Sequence, residues 1–216
     1  MRADDLEPAI TAIRDGGWGN RRAELSFCVR HAPTTVFVAE QDGGIVGTTI
    51  ATQSEGIGWL GLVFVAPALR GQHLGTRLTR TALDDLRQRG SRSVLLAATA
   101  LGRPIYERLG FVVDGHYAIV FGPGLGGHDP DQPGLRGIEP HDLPALSALD
   151  RAATGEDRTH LLRALGRGGW SRAMARCAAM PCARRGGLAP PSPRTRRAGG
   201  CCSTRCALRL EVASCG

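Results

Sequence analysis

The chain has 216 residues, 42% of them hydrophobic, with 30 Gly, 13 Pro and a formal net charge of +7. That charge is not spread along it: residues 169–216 hold nine Arg against one Glu, while residues 1–168 hold 18 Arg against 19 acidic residues. The patterned part is therefore near neutral, which argues against a nucleic-acid-binding surface there. Every basic residue is Arg, a bias that fits GC-rich coding DNA. Six of the seven Cys lie between Cys177 and Cys215, and Cys28 stands alone in the first part, as expected in a reducing compartment. The start, Met1-Arg2-Ala3-Asp4-Asp5, is polar, and the longest apolar stretch, residues 57–69, is short and broken by Gly58 and Gly61. Neither reads as a secretory signal or a membrane span, so a soluble cytoplasmic protein is expected.

In chain order, residues 6–14 read as a helix with Ile10 and Ile13 on one face, ended by Gly16-Gly17. Asn20 suits the N-cap of a second helix, residues 21–30, that buries Leu25, Cys28 and Val29. Residues 36–40 form a strand, Asp42-Gly43-Gly44 a hairpin turn, and residues 45–52 the returning strand. Residues 59–65 are near-continuously apolar, like a strand buried on both faces. Leu74, Leu78, Ala82 and Leu86 mark a helix face, capped by Gly90. A strand at 93–97, a short helix at 103–109, and strands at 111–113 and 117–121 around an Asp114-Gly115 turn follow. This alternation predicts an α/β (α+β) domain built on a central mixed sheet.

Between the apolar strand and the helix lies Val65-Ala66-Pro67-Ala68-Leu69-Arg70-Gly71-Gln72-His73-Leu74-Gly75-Thr76. A strand that turns through an Arg-Gly loop into a helix aims several backbone N–H groups at one point, where an anion can sit. About thirty residues later comes Tyr106-Glu107-Arg108-Leu109-Gly110-Phe111. Together these segments resemble the GCN5-related N-acetyltransferase (GNAT) family. The resemblance implies a mixed, mostly antiparallel sheet flanked by helices, with acetyl-CoA as co-substrate and an amine as acceptor. The acceptor is a small molecule or a peptide, a homodimer is left open, and no metal is implied. In the family a strand opens the domain before the first helix. Here the helical pattern starts at Leu6, so that strand is missing or an upstream start is implied.

The resemblance also assigns the site. The strand end Val63, Phe64 and Val65 would hold the pantetheine arm and polarise the thioester through its main chain. The amides of Arg70, Gly71, Gln72, His73, Leu74, Gly75 and Thr76 would hold the pyrophosphate, with the helix dipole assisting. The family pattern, Gln/Arg-x-x-Gly-x-Gly/Ala, is met by Arg70 and Gly75, whereas His73 replaces the first Gly. His tolerates the left-handed region better than most residues, at about 1–2 kcal/mol. Tyr106 matches the tyrosine that protonates the departing thiolate; the bland reading is a packing tyrosine. No general base stands out among Glu40, Glu55, Asp114 and His116, each more often an ordinary surface residue. Trp18 and Trp59 line either the acceptor pocket or the core. A non-catalytic acyl-CoA-binding or regulatory module of the same fold is the alternative function.

Residues 1–122 are thus expected to be the acetyltransferase domain and residues 123–134 a Gly/Pro-rich linker. Residues 135–168 read as strand, turn and helix, and Asp142-Leu143-Pro144-Ala145-Leu146 echoes residues 5–10. They look like the opening of a second, GNAT-like domain, as in tandem members of the family. From residue 169 the pattern stops, and Arg, Ala, Cys, Pro and Gly dominate. This is expected to be an unfolded or out-of-frame tail that cuts the second domain short; a basic tail for nucleic acid is the alternative. Its Cys spacing, with no His nearby, does not suit zinc.

Overall fold

A computed structural model describes residues 1–119, 138–166 and 208–215. The chain opens with helices α1 (Leu6–Ile13) and α2 (Arg22–Arg30). Between them Gly17, at φ +83°, turns the chain. The Asn20 side chain accepts the Arg22 N–H at 2.9 Å, which covers one of the unpaired donors of the first turn.

Three antiparallel strands follow: β1 (Thr34–Gln41), β2 (Gly44–Ser54) and β3 (Ile57–Val65). Asp42 (φ +52°) and Gly43 (φ +75°) form the first hairpin turn, as the sequence predicts. Glu55 (φ +46°) and Gly56 (φ +84°) form the second by the same left-handed pair. Helix α3 (Leu74–Gln88) then crosses over to β4 (Ser93–Ala98), which pairs with β3 in parallel. Helix α4 (Arg103–Arg108) leads into β5 (Val112–Ile119).

Two expectations are corrected here. Asp114-Gly115 does not separate two strands. β5 runs through it, with a register shift between Val113 and Gly115, because a partner strand pairs on both sides of the irregularity. That partner is β6 (Leu208–Cys215), from the segment expected to be unfolded. It lies antiparallel between β4 and β5, giving the order β1-β2-β3-β4-β6-β5. Leu208, Leu210 and Val212 alternate with Arg209, Glu211 and Ala213, a period of two that the Arg/Cys-rich surroundings hide. The expected linker at 123–134 and most of the expected tail lie outside the described residues.

Helices pack on both faces of the sheet at β2 and β3. On one, α1 and α2 bring Ala9, Ile10, Ile13 and Leu25 against Val36, Ile50 and Phe64. On the other, Ala82, Leu83 and Leu86 of α3 and Tyr106 of α4 pack with Ala51, Leu60, Leu96 and Phe111. Helix α3 rides close: a Cβ at Gly58 would sit 2.8 Å from Leu86 Cδ1, so only Gly fits without movement.

Helices α5 (Leu143–Thr154) and α6 (Thr159–Gly166) dock beside the β2–β3 hairpin through polar contacts. His160 of α6 shares one hydrogen bond with Ser54 Oγ (2.8 Å) and another with His31 Nε2 (2.9 Å). Phe27 stacks on His31, with ring centroids 4.8 Å apart. Arg151 pairs with Glu55 at 3.3 Å, and the Trp59 indole N–H donates to Glu156.

Two outcomes follow from this layout. Removing residues 208–216 strips a strand from between β4 and β5, and the melting temperature should fall by about 5 °C or more in calorimetry. The imidazole pair makes docking pH-dependent. Burial holds both His31 and His160 below the ordinary value; the neighbouring imidazole adds to this for His31, while Asp157 partly opposes it for His160. The unfolded chain therefore takes up protons first as pH falls. The stabilisation is complete above about pH 6.5 and is lost below it, through the lowered folded values. Burial raises the Glu156 carboxyl, which acts with the opposite sign at lower pH. The test is urea unfolding of wild type against a His31→Gln/His160→Gln variant that keeps Glu156: the difference in stability should shrink as pH drops from 7 to 5.

Candidate functional site

The site is built from a strand that leaves its neighbour. Pairing between β3 and β4 runs from Ile57–Ser93 to Leu60–Leu96 and stops there, although β3 continues to Val65 and β4 to Ala98. Beyond Leu60, the edge of β3 that faces β4 has no strand partner among the described residues. A bulge makes the bend. Between Ile50–Gly61 and Thr48–Phe64, β3 spends one residue more than β2, and Leu62 sits at φ +49°.

A left-handed Leu costs about 1–3 kcal/mol, so something must hold it. Thr48 and Thr49, both fully buried, do so: their hydroxyls donate to the carbonyls of Leu62 (3.0 Å) and Gly61 (3.4 Å). At about 1 kcal/mol each, two such bonds are of the size needed to offset the bulge. These threonines escaped sequence reading; a Thr pair in mid-strand was the available signal.

Past Val65 the chain makes a short turn over Pro67–Leu69 and reaches α3 through Gly71 (φ +80°) and His73 (φ +61°, ψ 8°). The left-handed His73 expected from the motif is what the fold contains. The amides of Gly71, Gln72, His73, Leu74, Gly75 and Thr76 donate to no described residue, whereas Arg77 N–H starts the helical ladder on His73 C=O at 3.0 Å. The expected amide row is shortened by one, because Arg70 N–H already donates to Pro67 C=O at 3.3 Å. The Arg70 side chain bends back instead, with Nε donating to Val65 C=O at 3.3 Å, which ties the loop to the strand end. At Gly75 an added methyl would meet Ile105 and Val65 at 3.5 and 3.6 Å, ordinary contacts that leave room for Ala.

Val63, Phe64 and Val65 lie on the diverging stretch of β3. Phe64 points its side chain into the α1–α2 core, with Trp18 edge-on at 5.7 Å, so only its main chain is available to a ligand. Tyr106 stands near the other arm of the opening, on α4 just after β4. Its ring is buried beside Phe111, and its hydroxyl forms no hydrogen bond with a described residue. Burial pushes its pKa up to about 12.

The four candidate bases are not brought together. Glu40 is exposed on edge strand β1 beside Arg2, and Glu55 is in the hairpin turn at the far end of β3, paired with Arg151. Asp114 and His116 are on β5, which β6 separates from β4. The carboxylate that does approach β3 is Glu156, 5% exposed and bonded to Trp59, from a segment that no local pattern connects with this strand. Among the described residues, no three His, Cys, Asp or Glu gather as a metal site. No described helix is long and apolar enough to cross a membrane.

This geometry can be set beside known proteins. The profile of the acetyltransferase (GNAT) domain matches residues 32–113, from the start of β1 into β5. Residues 32–113 are a GNAT acetyltransferase domain. All the residues assigned above to the loop, the strand end and Tyr106 fall inside it. The chain is 37% identical over 91 residues to a mycothiol acetyltransferase of Thermomonospora curvata and 42% identical over 90 to that of Thermobispora bispora. These matches cover 40% and 37% of the chain but only 30% of each relative, so the chain spans under a third of their length. Among solved structures, a putative acetyltransferase from Pyrococcus horikoshii superposes with a TM-score of 0.61 at 19% identity, a likeness of fold. It covers 77% of this chain and 59% of that one, a larger share of this chain than residues 1–122 can supply.

His73 gives a direct check on the loop. Replacing it with Gly should raise stability by about 0.5–1 kcal/mol by relieving the left-handed conformation. His73→Val should lower stability by more than that, and urea titration distinguishes the three proteins.

Proposed function

We propose that this chain is an N-acetyltransferase that transfers acetyl from acetyl-CoA to an amine by direct attack. One observation carries the reading: six amides, at 71–76, without an acceptor among the described residues adjoin a β3 edge that, by divergence from β4, has no described strand partner. A diphosphate matches the first feature in charge and donor count. An extended pantetheine arm, with its own amide groups, matches the second as an added half-strand.

In this reading the edge at Val63, Phe64 and Val65 orients the thioester, and a main-chain N–H there stabilises the oxyanion that forms on attack. The amine nitrogen bonds to the carbonyl carbon, the C–S bond breaks, and the sulfur takes a proton from Tyr106. No acyl-enzyme is formed. At a pKa of about 12 the phenol is fully protonated at neutral pH. It is a weaker acid than a thiol at about 8.5 in water, so it transfers its proton only as negative charge accumulates on sulfur in the same desolvated space. The amine proton leaves through water, since none of the four carboxylate and imidazole candidates reaches the opening.

The domain division proposed with this function is a catalytic unit over 1–122, a linker over 123–134 and a partial second GNAT-like unit over 135–168. The tail is assigned one folded element, β6, which joins the catalytic sheet. The Pyrococcus horikoshii likeness supports the second unit by its extent.

Calorimetry with coenzyme A, beside thiol release from acetyl-CoA across an amine panel, tests the proposal. Saturable binding and amine-dependent release are expected. Binding with no turnover on any amine would move the chain to the non-catalytic acyl-CoA module, and absence of binding would end both readings. Tyr106→Phe should lower kcat by about a hundredfold with coenzyme A affinity preserved. Wild-type activity should show no loss from phenol ionisation up to pH 10, because the buried hydroxyl titrates near 12.

A further inference from the structure

Trp59 and Glu156 stand outside the machinery described so far. Both Glu156 oxygens lie within hydrogen-bond reach of the indole nitrogen, at 3.0 and 3.1 Å, and Glu156 is buried while the indole is half-buried. The turn that carries Glu156 is itself braced: Glu156 N–H donates to Thr154 Oγ1 at 3.0 Å, and Arg158 Nε donates to Asp150 at 3.0 Å across the α5–α6 turn. An indole whose N–H is held this way cannot swing about its outer torsion, so its free surface has a fixed position.

That position matters. Trp59 pairs with Leu95, one step before the last β3–β4 pair, Leu60–Leu96. Leu60 packs with Leu86 of α3, so by strand alternation Trp59 faces the opposite side of the sheet. A pantetheine arm that leaves the amide row and follows β3 back from Val65 carries its reactive end toward this vertex. The indole then offers an aromatic surface one step from that vertex, on the face α3 does not cover. A carboxylate accepting the indole N–H also adds electron density to the ring, which strengthens its attraction for a cation over its face.

We propose that Trp59, positioned by Glu156, is a specificity-determining residue that selects acceptors bearing a second group, cationic at neutral pH, beside the amine that is acetylated. Small diamines and basic peptides fit this description, and monoamines of equal size do not. The reacting amine must be neutral to attack, so the charge the ring reads belongs to the other group. The inference rests on the acetyltransferase reading above. It assigns residues of the α5–α6 segment a part in the first unit's acceptor selection.

The test uses the full chain, acetyl-CoA and a matched pair, 1,4-diaminobutane and butylamine, followed by thiol release, with coenzyme A affinity measured by calorimetry. Wild type should favour the diamine by about tenfold in kcat/KM, carried by KM. Trp59→Leu should abolish the preference and Trp59→Phe should keep part of it. Glu156→Ala should weaken the preference, whereas Glu156→Gln, whose amide oxygen still accepts the indole N–H, should restore most of it. Coenzyme A affinity should stay within about twofold throughout, because no contact to the amide row has changed. Equal use of both amines by wild type, or an unchanged preference in the Trp59 variants, would overturn the inference and leave the acetyltransferase reading standing. A wild type inert on every amine would remove both. Should Trp59→Leu fail to fold, Trp59→Phe and the Glu156 pair decide.

Discussion

The departure of β3 from β4 after Leu60 is the constraint on which the proposed chemistry depends. A continuous parallel pair would use both strand edges internally and leave no backbone groups for a ligand. The bulge at Leu62 prevents that closure, and it persists because Thr48 and Thr49 place hydroxyls on the carbonyls it displaces. Both hydroxyls come from β2, on the side away from the opening. The strand is thus held from behind, and its front edge stays free.

The amide row at the start of α3 obeys the same logic. A helix begins with donors that have no internal acceptor, and most proteins cover them with a cap. Here the residue before the helix is His73, whose left-handed backbone redirects the chain and whose side chain makes no capping bond. Arg70 braces the loop to Val65, which sets the row at the end of the open edge. Two backbone features without partners among the described residues therefore meet, and the proposed ligand, with a charged end and an amide-bearing arm, would answer both.

The α5–α6 segment is joined to the sheet by polar groups. Its contacts are two imidazoles, a serine, a tryptophan N–H and a carboxylate, and most are partly or wholly buried. Such contacts contribute less stability than an apolar seam of equal size, but they fix orientation more tightly. That is a property suited to holding the Trp59 ring in the place the proposed acceptor selection requires.

Much of this was legible in the chain itself, where local chemistry decides local structure. Asp42-Gly43 turns because both positions need positive φ; α3 forms because Leu78, Ala82 and Leu86 share a face; and the amides of Gly71 to Thr76 meet no described acceptor because a helix start has none to offer. The sequence could not show that Asp114-Gly115 would be absorbed into a strand, since that depends on a partner almost a hundred residues away. Nor could it show that Leu208–Cys215 would fill the gap between β4 and β5, because its alternation is short and edge pairing is a property of the sheet. The meeting of Glu156 with Trp59, and of His160 with Ser54 and His31, joins segments about a hundred residues apart. Periodicity and turn chemistry act over a few residues, so they determined the elements and the Arg-Gly loop before α3. Which elements became neighbours was decided only by packing, and with it which side chains stand at the open end of the sheet.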